Sequence, residues 1–174
     1  MMRVIWLVAA VPLVGAAAPT ADEIVSASGF TGGMVAVVGA PDAALAMDFV
    51  RRGKFVVHCL ARDAASRDRL RREIREAGMA GAISADIFGG ERLPYADNLI
   101  NIVVDRAGIA KEELSRVLVP GGTATGASAF RKPWPEAIDE WGHFLHAADG
   151  NPVARDSVVG PPERYQWIAE PLWL

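Results

Sequence analysis

Two histidines three positions apart, His143 and His146, come nearest to a metal-binding pattern in this sequence. Acidic side chains accompany them at Asp139, Glu140 and Asp149. Imidazole and carboxylate groups are ordinary metal ligands, but a site needs three or four of them converging on one point. Two histidines with acids nearby form a weak pattern. We therefore predict packing and surface roles for these side chains, and no metal site.

The other nucleophilic and basic side chains do not suggest a catalytic centre either. Cys59 is the only cysteine in 174 residues, so it cannot form a disulfide within the chain. It lies in the middle of an apolar run, which favours an inert, packed thiol. His58 precedes it in the same run, which predicts a packed core histidine. No general base stands out, and the catalytic residues of any reaction stay unknown.

The elements that must position a site begin with a β-α-β unit over residues 34–60. Residues 34–38 are a continuous apolar run bounded by glycine, as expected for a strand buried on both faces. A turn at Gly39 leads into a helical pattern over residues 43–52. Residues 55–60 form a second buried strand, so the two strands should be parallel with a right-handed crossover.

Further strands and helices alternate around this unit. The sequence predicts a short helix that begins at a capping box on Thr20, a helix over 64–77, strands at 82–86 and 99–104, a helix over 109–118, a turn at 120–122 and a weak strand at 123–127. This alternation indicates an α/β fold, a Rossmann-like doubly wound and mostly parallel sheet of about five strands. Ligands of such sheets bind beyond the carboxyl ends of the strands, here near Gly39.

The N-terminus has the pattern of a secretory signal. Arg3 is followed by an apolar stretch of about a dozen residues and a small-residue end, with a predicted cleavage site after Ala17. The alternative is an uncleaved anchor helix, although the stretch is short for a membrane span. We predict export to the periplasm or cell envelope, with residues 1–17 removed and no stable membrane span afterwards. The net charge of −3 and the lack of a basic stripe argue against nucleic-acid binding.

Three segments carry a resemblance to a known family. Gly39-Ala-Pro-Asp42, Leu93-Pro-Tyr-Ala-Asp-Asn-Leu99 and Arg116-Val-Leu-Val-Pro-Gly-Gly122 resemble successive motifs of the class I S-adenosylmethionine-dependent methyltransferases. The last is the most specific, because RVLxPGG before a final strand is typical of the small-molecule branch of that fold. The resemblance covers residues 22–128 and implies a methyltransferase-like Rossmann domain over residues 20–128.

The same resemblance implies S-adenosylmethionine as the cofactor and assigns residues to it. Asp86 would contact the adenine amino group, Ile87 would pack on the base, and Asp42 would lie near the methionine end. The cofactor-binding residues that it implies are Gly39, Ala40, Asp42, Ala61, Asp86 and Ile87.

The sequence departs from this family at positions that hold the cofactor. The resemblance puts an acidic residue at Val37 and an acid for the ribose hydroxyls at Ala61. It puts glycines at Pro41 and Ala43, where proline removes an N–H donor and fills space. Asp63 lies two residues past Ala61 and replaces the missing acid only if the loop bends. Losing one carboxylate–diol contact costs about 1.5–3 kcal/mol, which is one to two decades of affinity.

The chain beyond residue 128 differs in composition, with many prolines and four of the five tryptophans. Ile138-Asp-Glu-Trp141, His143-Phe-Leu-His146 and Val159-Gly-Pro-Pro162 followed by Gln166-Trp167 resemble a known junction. It occurs in exported bacterial proteins that join a methyltransferase-like domain to a pyrroloquinoline-quinone-type β-propeller. The resemblance implies that residues 129–174 are a linker and the first segment of a truncated propeller.

Within this extension the sequence predicts a short helix over 135–147 and a strand over 165–168. Exposed tryptophans would mark a docking surface for the propeller or for an envelope protein. The tryptophans in question are Trp134, Trp141, Trp167 and Trp173.

Two functions of different classes follow. The first is a degenerate, non-catalytic Rossmann-like module that serves as an interaction or spacer domain for an envelope propeller. The second is an active methyltransferase that moves a methyl group from S-adenosylmethionine to a small acceptor, with catalysis mostly by positioning. Export favours the first, because S-adenosylmethionine is made and used mainly in the cytoplasm. A nicotinamide dehydrogenase is a distant third, weakened by the same missing glycines and acid.

Overall fold

The structure, a computed structural model, describes residues 18–90, 92–140 and 142–157. Its elements in chain order are α1 (Ala21–Ser28), β1 (Gly32–Gly39), α2 (Ala43–Arg52), β2 (Lys54–Ala61), α3 (Ala64–Glu76), β3 (Ile83–Ile87), β4 (Ile100–Asp105), α4 (Lys111–Val117), β5 (Leu118–Gly126) and β6 (Phe130–Arg131). The predicted signal at 1–17 and the predicted strand at 165–168 lie outside the described residues. Within the described part, no helix has both the length and the apolar character that a membrane crossing requires.

One six-stranded sheet carries the fold, in the order β3-β2-β1-β4-β5-β6. Neighbouring strands are parallel except for the antiparallel pair of β5 and β6. In the central pair, Gly32 lies opposite Lys54 and Gly39 lies opposite Ala61, so β1 and β2 end level. The order reverses between β1 and β4, which is the arrangement of a doubly wound sheet. The predicted Rossmann-like fold and its parallel β-α-β unit are confirmed.

Alternate residues of β1 point into two apolar cores on opposite faces of the sheet. Val35 and Val37 pack in the core that α1, α2 and α3 cover. Ala36 and Val38 pack in the core that α4 and the β3–β4 loop cover. All four side chains are fully buried, which explains the continuous apolar run in the sequence.

Cys59 is buried in the first of these cores. Burial, with a smaller contribution from the charge of Asp42, raises the pKa of its thiol to about 12. A thiol that stays protonated at neutral pH is a poor nucleophile. The prediction of a packed thiol is confirmed.

The first three helices each begin at a side-chain cap. The hydroxyl of Thr20 accepts a hydrogen bond from the Glu23 N–H, and the Glu23 carboxylate accepts one from the Thr20 N–H at 2.8 Å. The predicted capping box is therefore confirmed. Asp42 caps α2 and Asp63 caps α3 by accepting from a backbone N–H three residues further on.

Two strand predictions need correction. The predicted turn at 120–122 and weak strand at 123–127 form one continuous strand, β5, whose pairing with β4 shifts between Ile100 and Ile102. A sixth strand, β6, adds to the predicted five through two backbone pairs with β5. Two residues are too few to show an alternating pattern, so this strand left no signal in the sequence.

The short helix predicted over residues 135–147 is wrong. The described residues of that stretch form turns and an isolated bridge between His143 and His146. Leu145 and His146 have φ angles of 62° and 69°, a left-handed conformation that an α-helix built of L-residues excludes. The spacing of apolar residues in this stretch matched that of a helix, but the backbone forms a turn closed by the bridge between His143 and His146.

Candidate functional site

The candidate site is a cleft at the carboxyl ends of the central strands. It has a volume of about 310 Å³, near the lower end for small-molecule sites. Its lining residues are Gly39, Arg62, Phe88, Gly89, Gly90 and Ala107. They come from the ends of β1, β2 and β3 and from the loop after β4, which is where a doubly wound sheet binds its ligands. A larger groove of about 570 Å³ between α1 and the β5–β6 edge contains none of the predicted site residues.

Gly39 ends β1 with a φ angle of 101°. A Cβ atom at this position would lie 2.9 Å from the Cβ and backbone nitrogen of Ala107 and 2.9 Å from the carbonyl carbon of Arg106. Those atoms belong to the chain's own loop after β4. Because Gly39 has no side chain, the loop after β4 can pack closely against it. Gly39 also lines the cleft.

Arg106 lies across the turn that follows Gly39. Its Nη1 donates to the carbonyl oxygen of Ala40 at 2.8 Å and to Oδ2 of Asp42 at 3.0 Å. The other carboxylate oxygen of Asp42 accepts from the Leu45 N–H at 2.7 Å. Both oxygens of Asp42 and the carbonyl of Ala40 are thus engaged within the protein.

Ala61 and Asp63 do not supply an acid to the cleft. The Ala61 side chain is fully buried and packs in the core beneath α1, α2 and α3. Asp63 accepts from the N–H and the hydroxyl of Ser66 at 2.8 and 2.9 Å. These two hydrogen bonds lower the pKa of Asp63, so the carboxylate stays charged and fixed at the start of α3. Among the described residues at this strand end, none replaces the ribose-binding acid that the resemblance requires.

Asp86 is held by an ion pair with Arg71 and a hydrogen-bond contact with His58. Arg71 Nη2 donates to its Oδ1 at 2.6 Å, and His58 Nε2 lies 3.3 Å from its Oδ2. The Arg71 Nε also donates to the carbonyl oxygen of Ala85 at 2.8 Å. Ile87 follows with 44% of its surface exposed, as the predicted adenine contact would need. The assignment of Asp86 and Ile87 to a cofactor stays a prediction.

His58 is not the packed core histidine that the sequence predicted. Its side chain is half-buried at the sheet surface, where Nδ1 lies 2.9 Å from the hydroxyl of Tyr95. The two rings meet edge to face with centroids 5.7 Å apart. Burial raises the pKa of Tyr95, so its hydroxyl stays protonated. Tyr95, His58, Asp86 and Arg71 form a hydrogen-bonded chain, which sequence reasoning missed because its members come from four separate segments.

Asp105 is a second residue that sequence reasoning missed. It ends β4 and is fully buried. Its carboxylate accepts three backbone hydrogen bonds, from Ala107 at 2.8 Å, Gly108 at 2.9 Å and Ile109 at 3.0 Å. These bonds shape the loop that packs against Gly39, and they delay the start of α4 from the predicted residue 109. An acid directly after a buried strand was the available signal.

Arg116 explains why an arginine opens the third sequence motif. Its guanidinium donates to the carbonyl oxygens of Tyr95 at 2.7 Å and Leu93 at 3.1 Å, and it pairs with Asp97 and Glu113. Only 18% of the side chain is exposed. This residue therefore fastens the second motif to α4, and its role is to position the β3–β4 loop.

Glu113 holds the guanidinium of Arg116 in place, and its carboxylate makes the stability of the protein depend on pH. Arg116 and the Leu93 N–H both donate to its carboxylate, which lowers its pKa below the ordinary 4.5. Because the folded pKa is the lower one, the stabilisation is present above the unfolded value and lost as pH falls through the folded value. The difference in free energy of unfolding between the wild type and Glu113→Gln should shrink as pH is lowered from neutral to below 4.5.

Urea denaturation at several pH values measures this trend. The matched control is Glu112→Gln, one residue away, because Glu112 is exposed and accepts no hydrogen bond from a described residue. An equal trend for both variants would contradict the role assigned to Glu113.

The histidine pair of the C-terminal region makes contacts within the protein. His146 Nε2 lies 2.6 Å from Asp139 Oδ2, and the His143 N–H donates to the His146 carbonyl. The Arg155 N–H and His146 together lower the pKa of Asp139. Among the described residues, no three His, Cys, Asp or Glu side chains converge as metal ligands would.

The residues at the strand ends do not fit an adenosyl cofactor. The position for the ribose-binding acid holds the buried side chain of Ala61, and Asp63 caps α3. Asp86 is paired with Arg71, and Arg106 covers the turn at Ala40. Among the described residues at the ends of β1 and β2, no carboxylate is available to accept from a diol, and the turn after Gly39 is occupied by Pro41 and covered by Arg106.

Solved structures of S-adenosyl-L-methionine-dependent methyltransferases share this fold. A protein provisionally described as such an enzyme, from Methanococcus maripaludis, is 19% identical, with a TM-score of 0.53 over 60% of this chain and 51% of that chain. Geranyl diphosphate C-methyltransferase from Streptomyces coelicolor A3(2), in complex with Mg²⁺, geranyl diphosphate and S-adenosyl-L-homocysteine, is 18% identical, with a TM-score of 0.51 over 60% of this chain and 42% of that chain. The cyclase SpnF is 19% identical, with a TM-score of 0.52 over 60% of this chain and 42% of that chain.

These likenesses establish a methyltransferase-like fold and leave the activity open, since one fold serves several chemistries. The chain spans about half or less of the length of each of these three structures. No protein-family model matches the chain, and no curated protein does either.

Proposed function

We propose that this chain is a non-catalytic module with a methyltransferase-like fold, exported and attached to a quinoprotein-type β-propeller. One observation carries the non-catalytic part. The polar groups that an adenosyl cofactor needs at the ends of β1, β2 and β3 are either missing, as at Ala61, or engaged within the protein, as at Asp42 and Asp86.

Export and the propeller are supported by the sequence. The N-terminal stretch has the order of a secretory signal, and three segments after residue 128 resemble the junction to a propeller. Trp134 has 52% of its surface exposed, as a docking residue would. Trp141, Trp167 and Trp173 belong to the same proposal and lie outside the described residues.

The second candidate is an active S-adenosylmethionine-dependent methyltransferase. Two observations favour it: a cleft of about 310 Å³ lies where the fold binds ligands, and structures with this fold hold S-adenosylmethionine or its demethylated product. In this case the enzyme would bind the cofactor through backbone and apolar contacts alone. We give it second place because no described carboxylate is available for the ribose.

Titration with S-adenosylhomocysteine separates the two candidates. We expect a flat calorimetric titration for the wild type up to high micromolar concentration. The variant Pro41→Gly/Ala43→Gly/Ala61→Asp restores the loop and the acid, and we expect it to bind with at least about tenfold higher affinity, since one carboxylate contact is worth about 1.5–3 kcal/mol.

The matched control is the double variant Pro41→Gly/Ala43→Gly, which frees the turn without adding the acid. Because Ala61 is fully buried, thermal unfolding of each variant is measured before titration. Wild-type binding as tight as that of the triple variant would contradict the proposal. Wild-type binding of any measurable strength would favour the methyltransferase.

A further inference from the structure

Among the residues that the structure describes, none that lines the cleft carries an acidic side chain. Val37 and Ala61 occupy the two positions where the resemblance puts acids, and both are fully buried and uncharged. A described lining without carboxylates favours an anion over a cationic sulfonium ligand.

Three described carboxylates near the cleft, those of Asp42, Asp63 and Asp105, each accept hydrogen bonds from other groups of the protein. Asp42 accepts from Leu45 and Arg106, and Asp63 accepts from Ser66. The buried carboxylate of Asp105 accepts from three backbone N–H groups of its own loop. These carboxylate oxygens therefore accept hydrogen bonds at the N-termini of α2 and α3 and in the loop after β4.

Arg62 brings a positive charge to the lining. It follows β2 directly and is exposed. Within the described part of the chain, its guanidinium makes one hydrogen bond, from Nη2 to the Arg106 carbonyl oxygen at 3.4 Å. Since a guanidinium has five N–H donors in a planar fork, most of them remain available to an oxyanion.

Gly89 and Gly90, which follow β3, add backbone donors to the same lining. Neither N–H donates a hydrogen bond to a described residue. No atom lies within 4 Å of a Cβ built on Gly89, and the nearest to one built on Gly90 is the Arg92 nitrogen at 4.0 Å. Both N–H groups therefore remain available to donate to an oxyanion.

We infer that the cleft binds a small oxyanion ligand, a phosphate or a carboxylate, through the Arg62 guanidinium and the N–H groups of Gly89 and Gly90. The inference rests on the proposed function, because it requires a cleft that no longer serves an adenosyl cofactor. The half-buried ring of Phe88 lines the same cleft and offers an apolar surface to the rest of the ligand.

The test uses inorganic phosphate as the probe and backbone amide NMR as the readout. Titration at constant ionic strength should shift the amide signals of Gly89 and Gly90 in a saturable way. Arg62→Ala should weaken phosphate binding by about tenfold or more, as expected for loss of a charge-assisted hydrogen bond. The matched control is Arg51→Ala, which removes the same charge from an exposed residue at the far end of α2 and should leave the affinity unchanged.

Acetate titrated in the same way distinguishes a carboxylate from a phosphate ligand, and S-adenosylhomocysteine is titrated in parallel. Saturable shifts with phosphate or acetate that depend on Arg62, without binding of S-adenosylhomocysteine, support both proposals. Absence of binding by all three compounds overturns the inference and leaves the proposed function standing. Binding of S-adenosylhomocysteine overturns the proposed function, and equal effects of the Arg62 and Arg51 variants overturn the inference.

Discussion

Replacing Gly39 with alanine should lower the free energy of unfolding by about 2–5 kcal/mol. Two effects combine at this position. A φ angle of 101° strains any residue with a side chain, and the new Cβ would lie 2.9 Å from three atoms of the loop after β4. The three atoms belong to the backbone of Arg106 and to the backbone and Cβ of Ala107, so none of them can move away without shifting the loop. Urea denaturation of the purified chain measures the loss.

Gly78→Ala is the matched control for this prediction. Gly78 also has a positive φ angle, 69°, but no atom lies within 4 Å of a Cβ placed there. It should cost only the conformational strain, about 1–2 kcal/mol. If the two variants lose the same stability, the contact between the turn after β1 and the loop after β4 is not tight.

Asp105→Ala should lower the free energy of unfolding by about 2–4 kcal/mol, because it leaves three backbone N–H groups without their acceptor. Asp105 is fully buried, so water cannot take over all three hydrogen bonds. Hydrogen exchange at the amides of Ala107, Gly108 and Ile109 should accelerate together. Asp105→Asn keeps one acceptor oxygen in the same volume and should lie between the wild type and the alanine variant.

Asp48→Ala is the control for removing a carboxylate as such. Asp48 is 53% exposed and pairs with Arg51 on the surface of α2, an arrangement worth about 0–1 kcal/mol. A loss at Asp105 no larger than at Asp48 would show that the three N–H groups find other partners.

The fold could be predicted from the sequence because its strongest signals are local. The apolar run in β1, the helical spacing of α2 and the apolar run in β2 lie within 30 consecutive residues. The capping box at Thr20 spans four residues. Hydrophobic periodicity and helix capping involve residues close together in the chain, so both can be recognised from a single sequence.

The site was harder to predict because its contacts join distant positions. His58 and Asp86 are 28 residues apart, and Asp42 and Arg106 are 64 apart. The family resemblance indicated where residues expected to bind the cofactor are replaced, at Pro41 and Ala61. It gave no sign that Arg106 covers the turn or that Arg71 holds Asp86. Residue identity specifies which hydrogen bonds and ion pairs a side chain can form, whereas the tertiary structure determines which of them it forms within the protein.

The wrong helix at 135–147 has a related cause. Ile138 and Leu145 are seven positions apart, which places them on one side of a helix. The backbone instead adopts positive φ at Leu145 and His146, where the His146 ring reaches Asp139. A hydrogen bond between His146 and Asp139 across a turn outweighed a weak apolar period in a stretch that contains proline and glycine.

The hydrogen bond from Arg71 to the Ala85 carbonyl has a consequence for self-association. β3 is one of the two edge strands of the sheet and, among the described strands, pairs with β2 alone. An outermost strand is a template on which a second chain can extend the sheet, and charged side chains are one way in which proteins block such growth. The guanidinium of Arg71 is hydrogen-bonded to this strand at the Ala85 carbonyl and the Asp86 carboxylate. A second copy of the chain would have to displace this guanidinium before it could extend the sheet at β3.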